Sequence, residues 1–174
     1  MQASRASAPL HAGAPQVTIR AAQADDCEAM MIMIRALAAY QGVADRVHTT
    51  ADMLRRDGFG PQPKFEALIA EQRGSYAGLA MYQPVYASWD GATLLQITDL
   101  FVAESVRGTG VGFSLMLEMA RIARERGCMG LQLNMVHANP SRASLDRIGF
   151  VHQDDLLHYR LDADGLAKLV NASH

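Results

Sequence analysis

The hexapeptide "RGTGVG", Arg107 to Gly112, joins the apolar run "LLQITDLFV" to the segment "FSLMLEMARIA". Glycine at every second position suits neither a helix nor a strand interior. Between an extended run and an amphipathic one, it predicts a strand that turns sharply into a helix. Such a turn leaves backbone N–H groups pointing outward, with the positive end of the helix dipole behind them. A site of that kind binds phosphate. Glycine lets the anion approach the backbone, and Arg107 adds a charge that can pair with a phosphate oxygen. Two familiar phosphate loops are excluded. A P-loop needs Gly-Lys-Ser/Thr where this chain has Gly112-Phe113-Ser114. A dinucleotide fold carries its glycines after the first strand, whereas these follow the fourth. The six residues alone are equally compatible with a turn that uses glycine only for its geometry.

The remaining periodicities supply a sheet and helices around that unit. "VTIRAA", from Val17, predicts a strand, and "DDCEAMMIMIRALAAYQG" a helix capped by Asp25 or Asp26 and stopped at Gly42. "TTADMLRRDGFG" predicts a second helix, capped by Thr49 or Thr50. "KFEALIAEQ" and "SYAGLAMYQPVYA" read as a hairpin turned at Arg73-Gly74, and "ATLLQITDLFVA" follows a turn at Trp89-Asp90-Gly91. After the glycines come a helix ended by Gly127, the strand "MGLQLNMV" and the short helix "PSRASLDRIG". One or two strands in "FVHQDDLLHYRLD" and a tail helix in "ADGLAKLVNAS" complete the chain. This order predicts an α/β (α+β) fold: a mixed, mostly antiparallel sheet with helices on both faces. Met30, Met31, Met33 and Met53 read as core filling or as a deformable substrate wall.

Composition narrows the function classes. With 174 residues, 49% of them hydrophobic, the chain is sized for one domain, placed over residues 17–174. The first 16 residues, "MQASRASAPLHAGAPQ", lack the apolar stretch of a secretory signal and read as a flexible extension. A net charge of -2 gives no electrostatic argument for nucleic acid or an anionic membrane. No apolar run approaches the roughly 18 residues of a membrane span. Two cysteines make no disulfide framework, so a cytoplasmic protein is expected. Six histidines without metal-ligand spacing predict no metal site. Cys128 reads as a small core residue, and Arg121, Arg124 and Arg126 as a solvated helix face.

Preceded by a strand ending in Val102, "RGTGVG" resembles the Arg/Gln-x-x-Gly-x-Gly/Ala pyrophosphate loop of the GCN5-related N-acetyltransferases (GNAT). "NPSRASLDRIGF" resembles that family's second motif, a helix ending in Gly-Phe. "IRAAQADDCEAMMIMIRALAAYQ", "DGFG" and "GLAMYQPVYASWDGATLLQITDLFV" are similar to the branch that acetylates diamines (spermidine/spermine) and thialysine. The resemblance implies a GNAT fold, a homodimer, and transfer of acetyl from acetyl-CoA to a primary amine of a small molecule. That acceptor is diamine/polyamine-like or amino-acid-like, and it attacks directly in a ternary complex. The coenzyme would be held by Arg107, Gly108, Thr109, Gly110, Val111 and Gly112. Backbone groups of Leu100, Phe101 and Val102 would bind its pantetheine arm, with further contacts near Asn139 and Ser141.

The chemistry asks for more than a coenzyme site. An alkylammonium with a pKa of about 10.4 must lose a proton, at a cost of roughly 4.6 kcal/mol at neutral pH. A base must take that proton, and an acid must serve the leaving thiolate. In the branch a glutamate and a tyrosine fill these roles, but the aligned residues here are Thr98 and Leu145. A further acidic position, after Tyr40, carries Gln41. The resemblance therefore leaves Asp99 as first candidate to bind or deprotonate the amine, with Tyr40 and Ser144 beside it as catalytic candidates. Tyr82, Tyr86 and His137 are further protic candidates. Tyr40, Gln41, Trp89, Thr98 and Asp99 are the expected acceptor-side residues. Strand alternation sends Thr98 and Asp99 to opposite faces unless a bulge intervenes. Loss of two carboxylates predicts an acceptor with fewer charges than spermidine. Two alternatives are an acetyl-CoA-binding regulatory or interaction module and a protein or peptide N-acetyltransferase.

Overall fold

Five strands lie side by side in chain order in the computed structural model, which describes residues 17–136, 139 and 141–172. The expected N-terminal extension and His137 lie outside the described residues. Strands β1 (Val17–Ala21), β2 (Glu66–Gln72), β3 (Ser75–Ala87) and β4 (Ala92–Val102) are antiparallel neighbours. Strand β5 (Gly130–Leu133) runs parallel to β4. The hairpin turns fall where predicted, at Arg73-Gly74 and around Trp89.

Helices α1 (Cys27–Tyr40) and α2 (Ala51–Phe59) cover one face of the sheet. Their apolar stripes bury Met30, Met31, Met33 and Leu54 against Ile69, Leu79, Met81 and Phe101. Thr50 caps α2 by accepting the Met53 N–H at 3.2 Å, which answers one of the free donors of that terminus. Three of the four methionines are therefore core, while Met53 is exposed and lines a small cavity beside α2. Helix α3 (Val111–Glu125) covers the opposite face. It sits so close over β3 that a Cβ on Gly78 would lie 3.2 Å from Val111 and 3.1 Å from Leu115. No helix among the described residues is long and apolar enough to cross a membrane.

A polar network ties β1 to the start of α1. The buried Asp26 carboxylate receives both Arg20 guanidinium nitrogens at 2.7 and 2.8 Å, the Gln23 N–H at 2.7 Å and the Tyr76 hydroxyl at 3.0 Å. Arg20 also donates to Glu71 at 2.8 Å. These donors, Arg20 first, hold the Asp26 carboxyl down at about 2. A depressed carboxyl stabilises the fold above its unfolded pKa and loses that contribution as pH falls toward its folded value. Two results are expected in urea titrations. Wild type loses about 2 kcal/mol between roughly pH 4 and 2 from this group. Asp26→Ala costs on the order of 2 kcal/mol at neutral pH, because it removes the acceptor shared by Arg20, Gln23 and Tyr76, and it flattens the acid limb.

The described residues divide into two compact units, the second beginning after Val136. Within it, α4 (Arg142–Arg147) opens on Asn139, whose side chain accepts the Ser141 N–H at 2.9 Å. It closes on Gly149, at φ 96°, and the Phe150 N–H donates back to the Leu145 carbonyl at 3.1 Å. Helix α5 (Ala163–Asn171) is capped by Asp162, which accepts the Gly165 N–H at 2.8 Å. The strands expected in "FVHQDDLLHYRLD" do not form: residues 151–162 are in turns and irregular structure. Alternating apolar residues favour a strand only when a partner edge answers the backbone, and no ladder partner stands there among the described residues.

Candidate active site

The sheet changes phase in the middle of β4. Met81 pairs with Asp99, yet the next residue, Tyr82, pairs with Ile97, so Thr98 is an extra residue with no partner on β3. This is a β-bulge. Ile97 shares its face with Tyr82, which lies under Arg126 at the end of α3. Asp99 shares the opposite face with Met81 and Phe101, the side packed by α1 and α2. Alternation from Ile97 puts Thr98 on the α1–α2 side as well. The bulge thus brings Thr98 and Asp99 onto one face, the condition that simple alternation denied.

Beyond the bulge, β4 loses its second neighbour. Pairing with β5 runs from Leu94–Gly130 to Ile97–Leu133 and stops there. The Ala103 N–H donates to the Ala77 carbonyl at 2.9 Å, so Ala103 and Phe101 face the β3 ladder. Ladder alternation then turns the backbone groups of Leu100 and Val102 toward the edge that β5 has left. Arg107 uses that edge, donating from Nε to the Val102 carbonyl at 3.3 Å.

The edge leads into the glycine loop. Gly108 and Gly110 take φ of 79° and 96°, the left-handed region that favours glycine, and a Cβ on either would meet nothing within 4 Å. Their outer side is an open cradle. The first helical bond of α3 is from the Ser114 N–H to the Gly110 carbonyl, at 2.9 Å. The N–H groups of Val111, Gly112 and Phe113 therefore have no partner within the helix. Gly112 brings α3 against the Val102 side chain, 3.4 Å from where its Cβ would stand. Thr109 is held by its own hydroxyl, which donates to the Val106 carbonyl at 2.8 Å. Open cradle, unpaired donors, dipole and Arg107 together fit a pyrophosphate.

Asp99 is the one carboxylate within β4. Burial raises its pKa above the ordinary carboxylate value, and a hydrogen bond from Thr98 partly offsets that effect. The Thr98 hydroxyl has one proton for two acceptors, Asp99 and the Met81 carbonyl 3.3 Å away. On the same face, a cavity of about 400 Å³ is lined by Gln83, Val85, Gln96, Ile97, Thr98 and Asn134. Among the described residues, no charged side chain lines it.

Other expected site residues fall elsewhere. The ring of Tyr40 lies 4.4 Å under the Arg107 guanidinium, which places Tyr40 beside the glycine loop. Gln41 is the half-buried C-cap of α1. Tyr82 is buried on the α3 face, donates to Glu66 at 3.4 Å and is pushed up to about 12, chiefly by burial. Tyr86 follows it to that face by alternation. Trp89 is 97% exposed at the hairpin tip. The span of β4 from Ala92 to Asp99 is roughly 23 Å, so this chain does not bring Trp89 to Asp99. Asn139, Ser141 and Ser144 belong to the second unit, where Ser144 accepts from Arg147 at 3.1 Å. The "DGFG" segment has packing reasons of its own. Asp57 is neutralised by Arg56 at 2.6 Å and Lys64 at 2.8 Å. A Cβ on Gly58 would strike the Phe65 ring at 2.5 Å, and one on Gly60 the Arg56 carbonyl at 2.4 Å.

A family model described as the acetyltransferase (GNAT) family matches residues 24–150 of this sequence. The chain belongs to the GNAT family of acetyltransferases. It is 32% identical over 137 residues to the thialysine N-epsilon-acetyltransferase of Sus scrofa, covering 74% of this chain and 80% of that protein. It is 36% identical over 117 residues to the spermidine/spermine N(1)-acetyltransferase-like protein 1 of Homo sapiens, covering 63% of this chain and 17% of that one. An aminoglycoside N-acetyltransferase solved in complex with CoA superposes with a TM-score of 0.69 at 19% identity, covering 87% of this chain and 98% of that one. The GNAT chain described above is thus an N-acetyltransferase that acts on amines.

Proposed function

We propose that this GNAT enzyme takes acetyl from acetyl-CoA and transfers it directly to a primary amine of a small molecule. The carrying observation is the bulge at Thr98, which sets Asp99 beside the β4 edge that runs into the Arg107–Gly112 cradle. Acetyl-CoA supplies the activated acetyl thioester. The cradle donors of Val111, Gly112 and Phe113 would hold its pyrophosphate, with Arg107 released from Tyr40 and Val102 to add its charge. Outward N–H groups of the β4 edge can stabilise a carbonyl oxygen that gains negative charge.

Asp99 does the work on the acceptor side. As a carboxylate it attracts the ammonium, and its raised pKa makes it a better proton acceptor than an exposed aspartate. The Thr98 hydroxyl, shared between the Met81 carbonyl and Asp99, can donate to that carboxylate. The test is CoA thiol release from acetyl-CoA, measured with and without a panel of primary amines. Release that depends on the amine and yields the N-acetyl product is expected. Coenzyme binding without turnover for any amine would instead support the regulatory-module reading.

A further inference from the structure

We propose that the cavity beside Thr98 binds the body of the acceptor, and that this body is neutral and rich in amide or hydroxyl groups. The inference rests on the reading of this face as the acceptor side of acetyl transfer. Its basis is the kind of side chain that lines the cavity. Gln83, Gln96, Thr98 and Asn134 supply three amides and one hydroxyl around about 400 Å³, within the range of small-molecule sites.

These groups can hydrogen-bond a bound molecule. Gln96 commits its Nε2 to the Ile97 carbonyl at 3.2 Å, which leaves its Oε1 as an acceptor. Gln83 is half-buried and Asn134 exposed, so both side-chain amides are accessible to a bound molecule. An amide offers a donor and an acceptor side by side, and so pairs reciprocally with another amide or with adjacent hydroxyls. A second ammonium in the same space would shed water and find no carboxylate in return. Asp99, one residue from Thr98 on the same face, is the carboxylate of β4 that a reacting amine at the bulge would meet. The cavity therefore selects an acceptor with one ammonium at Asp99 and a neutral polar remainder over the glutamines.

Because its two sources share this chemistry, the test uses both an amino amide (β-alaninamide) and an amino sugar (glucosamine). Putrescine and spermidine serve as charged comparators. With acetyl-CoA saturating, kcat/KM is expected to be about tenfold or more higher for one or both neutral-bodied amines than for spermidine. Gln96→Glu places a carboxylate in the cavity at nearly constant shape. It is expected to lower kcat/KM for the neutral-bodied amines and raise it for putrescine and spermidine, inverting the ratio by about 100-fold. Gln83→Glu on the facing strand repeats the measurement independently. Spermidine preferred by wild type, or a ratio unmoved by both variants, overturns the proposal while leaving the acetyltransferase reading intact. Failure of that reading shows differently, as no amine-dependent CoA release from a protein that binds acetyl-CoA calorimetrically.

Discussion

Gly110→Val should abolish measurable acetyl-CoA binding, a loss of at least about 100-fold in affinity, in a protein that still folds. Two features set the size of the effect. Gly110 sits at φ 96°, where a β-branched residue is strained by roughly 1–2 kcal/mol. A Cβ there meets nothing within 4 Å, so no protein atom blocks the valine, and its methyl groups occupy the space outside the loop. That space is where an anion must stand to reach the N–H groups of Val111, Gly112 and Phe113. Should the backbone instead relax to relieve φ, those donors turn away, and the result is the same. Urea titration should find the fold weakened only by the local strain, because α3 keeps its buried Leu115, Met116 and Met119. Titration calorimetry on the folded variant decides the matter: wild-type affinity would remove the pyrophosphate from this loop. Tyr40→Leu offers a companion of opposite sign: it removes the ring that Arg107 must leave to reach the pyrophosphate, and is expected to leave the affinity unchanged or raise it several-fold.

How much of this was legible beforehand follows from which contacts are local. The strand–glycine–helix unit, a cap at Thr49 or Thr50 and the turn at Arg73-Gly74 depend on a few consecutive residues, and the sequence reads them correctly. The bulge depends on a count across two strands. Nothing in "LQITDLFV" says that two residues, Thr98 and Ile97 or Asp99, answer one step on β3, so the sequence yields only a conditional statement about Thr98 and Asp99. Alternation along β3 sends Tyr82 and Tyr86 to the face opposite Asp99. Arg126 illustrates a different limit. Its place at the helix end suggests a solvated charge, but the fold brings it to Glu66, sixty positions away, as a bidentate pair at 2.5 and 2.7 Å. The cavity amides carry no motif at all. Gln83, Gln96 and Asn134 become neighbours only once three strands are aligned, and a resemblance that looks for carboxylates passes over them.

Asp99→Asn should lower kcat/KM at neutral pH by about 100- to 1,000-fold, and the shape of its pH profile should identify the reason. On the proposed reading the ammonium delivers its proton to ionised Asp99 in wild type. The rate is then set by ionised Asp99 together with protonated amine, and it stays level between the carboxyl pKa and the amine pKa near 10.4. Because burial raises the Asp99 pKa, the acid limb should fall at higher pH than an exposed aspartate would give. In the variant only amine already deprotonated in solution can react. Its rate should climb about tenfold per pH unit across neutrality and approach the wild-type value near pH 10. Stability separates this outcome from damage to the fold. A carboxyl whose pKa is raised on folding costs stability once pH exceeds its unfolded value, so removing its charge should leave the urea midpoint at pH 7 unchanged or higher. Thr98→Val, which keeps the bulge and removes the hydroxyl, should shift the acid limb further upward by withdrawing the donor that favours the ionised form. A flat pH profile in Asp99→Asn, parallel to wild type and merely lower, would mean that Asp99 positions the amine while another group takes the proton.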